Sequence, residues 1–102
     1  MAEWSFLTNH ARALACIAHD PGVRLRDIAA ALDITERSAF GIVNDLAGAG
    51  YLLKDKDGRR NRYKVQSELP LRGAEALGRE RTIGEFLTVL VASDQRQPQG
   101  HR

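Results

Sequence analysis

Apolar residues recur along this chain in short helical stripes broken by turn formers, and the spacing changes once to a strand-like one. Thr8 suits a helix N-cap, and after it Ala11, Leu14, Ala15 and Ala18 recur at helical spacing, with Ile17 on an adjoining face. Asp20-Pro21-Gly22 ends that helix, because proline disfavours helical geometry before it and glycine supplies turn conformations. Leu25, Ile28, Ala29 and Leu32 then share one face of a second short helix. Asp33-Ile34-Thr35 interrupts it: aspartate tolerates the left-handed conformation past a helix end, Ile34 can point back inward, and Thr35 can cap a third helix. That helix carries Ala39, Ile42 or Val43, and Leu46 inward, and ends at Gly48-Ala49-Gly50. Two short helices joined by so tight a turn form a helix-turn-helix.

Positions 51–66 change character. β-prone runs over 51–56 and 62–65 flank Asp57-Gly58, a dipeptide that supplies the positive φ angles of a hairpin turn, which puts Arg59, Arg60 and Asn61 at or beside the tip. Pro70, Gly73 and Gly78 weaken any helix over 69–78. From Arg79 a fourth helix is expected, its apolar stripe formed by Ile83, Phe86, Leu87, Leu90 and Val91. The polar tail 93–102, with Pro98 and Gly100, is expected to be disordered, and Trp4, Phe6 and Leu7 form an apolar cluster ahead of the first helix. The order is helix, helix, turn, helix, hairpin, helix: a mainly α single domain over 1–92, with its core at 8–66 and no internal linker.

At 102 residues the chain is long enough for one domain and one core, and its 43% hydrophobic content is that of a globular protein. Only six residues are aromatic, so the core is expected from Leu, Ile, Val and Ala. No apolar run reaches bilayer length, and the first residues lack the basic-then-apolar pattern of a secretory signal. The single cysteine, Cys16, excludes an intrachain disulfide and fits a reducing compartment. A cytoplasmic location without membrane contact is therefore expected. Charge adds a partner. Six basic residues (Lys54, Lys56, Arg59, Arg60, Arg62, Lys64) and two acidic ones fall within 54–64, so that segment is +4 and the remainder −2 of a net +2. Positive charge concentrated on one hairpin of a mildly acidic body suits a polyanion.

The ordered parts resemble the winged helix-turn-helix regulators of the broad MarR-like and ArsR-like type. The residues that carry the resemblance are Leu25-Arg26-Asp27-Ile28-Ala29-Ala30-Ala31-Leu32-Asp33-Ile34-Thr35-Glu36-Arg37-Ser38-Ala39-Phe40, then Val43-Asn44-Asp45-Leu46-Ala47-Gly48-Ala49-Gly50-Tyr51-Leu52, then Gly58-Arg59-Arg60-Asn61-Arg62-Tyr63. It spans roughly 8–66. It implies a winged helix-turn-helix fold, a recognition helix at 36–47 in the DNA major groove and a hairpin wing at 54–64 on the flanking backbone or minor groove. It further implies a sequence-specific regulator of transcription on double-stranded DNA.

The residue chemistry agrees. A major groove about 12 Å wide admits an α-helix. With Ala39, Val43 and Leu46 inward, Glu36, Arg37, Ser38, Phe40, Gly41 and Asn44 are left toward solvent or DNA. Arg37 can pair bidentately with guanine, and Ser38 and Asn44 can hydrogen-bond bases or phosphates. Phe40 is open to two roles, contact with a thymine methyl or packing under the hairpin. Gly41 costs roughly 1 kcal/mol of helix stability relative to alanine, which close approach of DNA or of another helix would explain. Lys54, Lys56, Arg59, Arg60 and Arg62 can neutralise phosphates; Asn61 can contact DNA or satisfy its own turn. Tyr51 and Tyr63 are expected to pack.

Three other functions compete with this reading. Cys16 and His19 share a helical face and suit a soft metal or redox sensor, but with no second Cys/His cluster Cys16 reads better as a small hydrophobe. No phosphate-cradling loop or nucleophile–base pair is recognisable, so no enzyme, catalytic residue, metal or cofactor is expected, and nothing specifies a small-molecule effector. A winged-helix protein–protein module without specific DNA binding is the rival. The stripe Ile83, Phe86, Leu87, Leu90, Val91 on a helix over 79–92 is expected to pair with a second copy as a homodimer interface.

Overall fold

The computed structural model describes residues 5–57, 60–74 and 81–92. The elements, in order, are α1 (Asn9–His19), α2 (Leu25–Leu32), α3 (Glu36–Gly48), strands β1 (Leu52–Asp57) and β2 (Arg60–Val65), and α4 (Ile83–Leu87), which widens into a π-helical turn at Thr88–Ala92. The architecture is mainly helical, with one two-stranded antiparallel sheet. Among the described residues no helix is long and apolar enough to cross a membrane.

Helix α1 starts where expected: Thr8 Oγ1 accepts from the Ala11 N–H at 3.1 Å. Its buried face differs in phase from the expected one. Ala13, Leu14 and Ile17 are buried, with Ala13 and Ile17 fully so, while Ala15, Cys16 and Ala18 are only partly covered. The helix turns to centre its bulkiest apolar side chain, since Ile17 gains more from burial than any alanine. The chain then stops at Asp20, whose carboxylate accepts from the Gly22 N–H at 3.1 Å.

Helix α2 buries Ile28, Ala29 and Leu32. Asp33 follows at φ 60, ψ 49, in the left-handed region. The Asp33 N–H donates to the Ala30 carbonyl at 3.3 Å and the Ile34 N–H to the Ala29 carbonyl at 2.9 Å, which satisfies two of the last free carbonyls of the helix. Thr35 then caps α3, its Oγ1 accepting from the Ser38 N–H at 3.0 Å. Ile42 and Val43 are both buried, together with Ala39 and Leu46, so α3 presents a broad inner face. Its exit repeats the device at Gly50, φ 91, where the Tyr51 N–H reaches the Leu46 carbonyl at 2.9 Å.

The hairpin pairs Leu52 with Val65 through to Asp57 with Arg60. The ladder therefore runs one residue past the Asp57-Gly58 turn read from the sequence, and positions 58–59 lie outside the described residues. Directly opposed residues share a face. Leu52 and Tyr63 are buried on the inner one, and Leu53, Asp55, Arg62 and Lys64 are exposed on the other. The Tyr63 N–H donates to the Pro21 carbonyl at 3.1 Å, tying the hairpin to the α1–α2 loop, and Tyr51 packs as expected, its hydroxyl donating to the Pro70 carbonyl at 2.7 Å.

The C-terminal part departs most from expectation. Helix α4 begins at Ile83, not Arg79, which lies outside the described residues. Its start is fixed by a reciprocal cap: Thr82 Oγ1 accepts from the Glu85 N–H at 3.1 Å, and Glu85 Oε1 accepts from the Thr82 N–H at 2.9 Å. That backbone hydrogen bond holds the Glu85 carboxyl below its ordinary range, with the Arg81 guanidinium adding to it. Ahead of α4, segment 67–71 is laced to 81–84: Ile83 N–H to the Leu69 carbonyl at 2.8 Å, Leu71 N–H to the Arg81 carbonyl at 2.6 Å, Gly84 N–H to the Ser67 carbonyl at 2.9 Å. The tail 93–102 lies outside the described residues.

At Gly84 this lacing leaves little room for a side chain. A Cβ there would stand 3.0 Å from Ser67 Cβ and 3.1 Å from the Ser67 carbonyl oxygen. Gly84→Ala is expected to destabilise the fold by about 1–3 kcal/mol, the usual range for overpacking. Thermal unfolding followed by circular dichroism checks it; an unchanged or raised midpoint would show that Ser67 yields without strain.

Candidate nucleic-acid interface

Because α3 buries Ala39, Ile42, Val43 and Leu46, helical period alone dictates what it shows outside. Glu36, Arg37, Ser38, Phe40, Gly41 and Asn44 are all exposed. Glu36, Phe40 and Asn44 follow one another at four-residue spacing, with Arg37 and Gly41 beside them, so they form one face. Of these, Ser38 is already engaged within the helix start, where its backbone N–H is capped by Thr35 and the two hydroxyls are hydrogen-bonded at 3.0 Å. Glu36 lies in the first turn, where its charge complements the helix dipole.

Two residues with open roles are now placed. Phe40 does not pack under the hairpin; it is 49% exposed and stands outside the core cluster. Gly41 lies in the middle of α3 with nothing within 4 Å of where a Cβ would be, so no other part of the described chain requires a glycine there. Gly48 has the same open space but sits at the last position of the helix, where the loss of helix stability is smaller.

On the hairpin, Lys54, Arg62 and Lys64 are exposed. Lys56, Arg60 and Asn61 are placed by backbone register only, and Arg59 lies outside the described residues. The register qualifies the expected basic stripe. In backbone register Asp55 is paired with Arg62, and Asp57 with Arg60, so an acidic position is opposed to an arginine position at two places. Asp55 and Arg62 are both exposed, and no ion pair within 4 Å joins them.

The helix expected to pair two copies is mostly occupied at home. Ile83 and Leu87 are buried in the chain's own core at 4% and 6% exposure, which corrects their placement in a dimer interface. They turn inward because α4 starts at Ile83 and lies across the core from its first residue. Phe86 packs partly against the core, Leu90 is half-buried, and Val91 is described in backbone only. A groove of about 510 Å³ opens beside Phe86, with Leu14, Leu46, Leu71 and Ile83 also among its lining. On its rim His10 Nε2 and Asp45 Oδ2 lie 2.8 Å apart and join α1 to α3, a pairing of residues 35 apart that nothing in the local sequence announces.

Cys16 is partly buried, and burial pushes its thiol pKa up against the opposing pull of Arg12. That reduces the thiolate fraction on which metal binding and redox reactivity depend. Among the described residues no three His, Cys, Asp or Glu side chains gather as a metal site.

If the glycine serves an external partner and not the fold, Gly41→Ala should separate the two properties. The variant is expected to be more stable by about 0.5–1 kcal/mol and yet to bind duplex DNA more weakly. Thermal unfolding beside fluorescence-anisotropy titration reads both; unchanged affinity would remove close approach at Gly41. No protein-family model matches this chain, and no curated protein is detectably similar to it, so the face is characterised by its own chemistry.

Proposed function

We propose that this chain is a winged helix-turn-helix protein that binds double-stranded DNA sequence-specifically and regulates transcription. In this reading α3 enters the major groove and the hairpin is the wing, resting on the flanking backbone or minor groove. The observation that carries it is the outer face of α3. Arg37 and Asn44 stand exposed either side of a glycine that the interior does not require, on a helix held by caps at both ends. Arginine and asparagine are the side chains whose forked geometry matches guanine and adenine edges. Lys54, Arg62 and Lys64 on the neighbouring hairpin supply charge for phosphates.

Salt dependence tests this reading against a protein-binding module of the same shape. Duplex affinity is expected to fall steeply with salt. Arg62→Ala and Lys64→Ala should each reduce the slope of log affinity against log salt by about 0.9 if each removes a phosphate contact. Asp55→Asn should act oppositely and tighten binding to all duplexes, because it removes the acid registered against Arg62. Absence of duplex binding even at low salt would favour the protein-binding module.

The protein is further proposed to act as a homodimer. With Ile83 and Leu87 buried, the surface left for a second copy is Phe86 with the groove that it lines, and the half-buried Leu90 further along the chain, with Val91 nearby in sequence. Two α3 helices related by a two-fold axis reach successive major grooves when their centres lie about 34–36 Å apart, which makes the site an imperfect palindrome. Sedimentation of the wild type at tens of micromolar, roughly the range of ordinary dimer affinities, is expected to show a dimer that Leu90→Glu splits. A wild-type monomer there would overturn it.

A further inference from the structure

We infer that Phe40 reads the 5-methyl group of a thymine, so that the bound site carries a thymine within a base pair or two of the position contacted by Arg37. The inference rests on the major-groove placement of α3 proposed above. Every other large apolar side chain of α3 is buried: Ile42 and Leu46 at 8% exposure, Val43 at 2%. Among the large apolar residues of this helix Phe40 alone leaves half its surface in water, and it does so in the middle of the polar face. A ring in that position gains little unless an apolar group from outside meets it.

The floor of the major groove offers one kind of apolar group. Guanine presents acceptors, cytosine a donor, adenine one of each, and thymine an acceptor together with its C5 methyl. A phenyl ring lowered among these edges is favoured against the methyl and disfavoured against the polar atoms. The neighbours of Phe40 set the approach. Gly41 adds no side chain beside the ring, so the helix can come closer at this point than elsewhere along its face. Arg37 is three residues earlier and Asn44 four later. At a rise of 1.5 Å per residue these are about 4.5 Å and 6 Å along the axis, comparable with one to two base-pair steps of 3.4 Å. An arginine on a guanine and an asparagine on an adenine would therefore bracket the base that Phe40 touches.

Deoxyuridine differs from thymidine only by the missing methyl, which makes the test specific. Sites bound by the wild type are first selected from random duplexes. Affinities are then measured on the selected duplex and on copies in which single thymines are replaced by deoxyuridine, for the wild type, Phe40→Ala and Phe40→Leu. At one thymine the wild type is expected to lose about fourfold on replacement, the effect of one buried carbon. Phe40→Ala should bind the selected duplex less tightly and make no distinction between the two bases at that position, while Phe40→Leu keeps part of the distinction. Since Phe40 is outside the core, the variants are expected to unfold at wild-type temperature, which circular dichroism verifies. Wild-type affinity indifferent to deoxyuridine at every position, or a distinction that survives in Phe40→Ala, overturns the inference and leaves the DNA-binding reading standing. Failure of the wild type to select any duplex overturns that reading, and this inference with it.

Discussion

The burial of one face of α1 is the constraint on which the rest of the molecule depends. Ala13, Leu14 and Ile17 are packed so tightly that two of the three have no solvent access, and α2, α3, β2 and the turn after α4 all touch this helix. As isolated segments the short elements gathered here would be marginal. An eight-residue helix and a five-residue one are far below the length at which isolated helices hold in water, and a lone two-stranded hairpin is marginal. Each persists because α1 offers an apolar surface to lie on. The largest fully buried side chains, Ile17, Ile28, Val43 and Leu52, come from α1, α2, α3 and β1 respectively, so a single cluster joins four elements.

What is legible in the sequence follows from interactions that are local. Thr8, Asp33 and Thr35 act within a few residues, and chemistry of that range can be read from the order of residues. The exposed set on α3 is legible for the same reason, since either choice of Ile42 or Val43 as the inward residue leaves the same polar positions outside. The phase of α1 is not, because four alanines and a cysteine spread weak apolar character around it and only the neighbours decide which side is buried. The start of α4 differs from expectation although its signal is present. Thr82 and Glu85 stand at the spacing of a reciprocal cap, but the apolar stripe draws the expected helix back toward Arg79. Beyond Leu87 the helix widens to i→i+5 bonding, which changes the angle between successive residues and leaves Val89 71% exposed beside a half-buried Leu90. A stripe drawn at the α period cannot follow that change.

The hairpin shows how sensitive charge pattern is to register. A two-residue turn at Asp57-Gly58 would oppose Lys56 to Arg59, setting like charges against each other. The observed pairing opposes Asp57 to Arg60 and Asp55 to Arg62. The observed register has two opposite-charge pairs, whereas the other would set one like pair beside one opposite pair, Asp55 with Arg60, so cross-strand charge leans toward the observed one. The same acids temper the field that the arginines offer to a polyanion. In the proposed role this would leave the hairpin a moderate charge for phosphates, below what its count of basic residues suggests.

The hydrogen bond from the Tyr63 backbone to the Pro21 carbonyl bears on how the two arms of the proposed interface work together. It fastens the middle of β2 to the loop that leads into α2, and α2 in turn is joined to α3 by three residues locked at Asp33. Hairpin and helix are thus linked through backbone hydrogen bonds as well as along the chain, which favours one relative placement of the two. A frame of this kind loses little conformational entropy when it meets a ligand, because the relative position of its parts was settled during folding. It also transmits misfit. In the proposed role, a duplex whose groove is too wide or too narrow would not be accommodated by swinging one arm, and local DNA shape would be read through the stiffness of the frame.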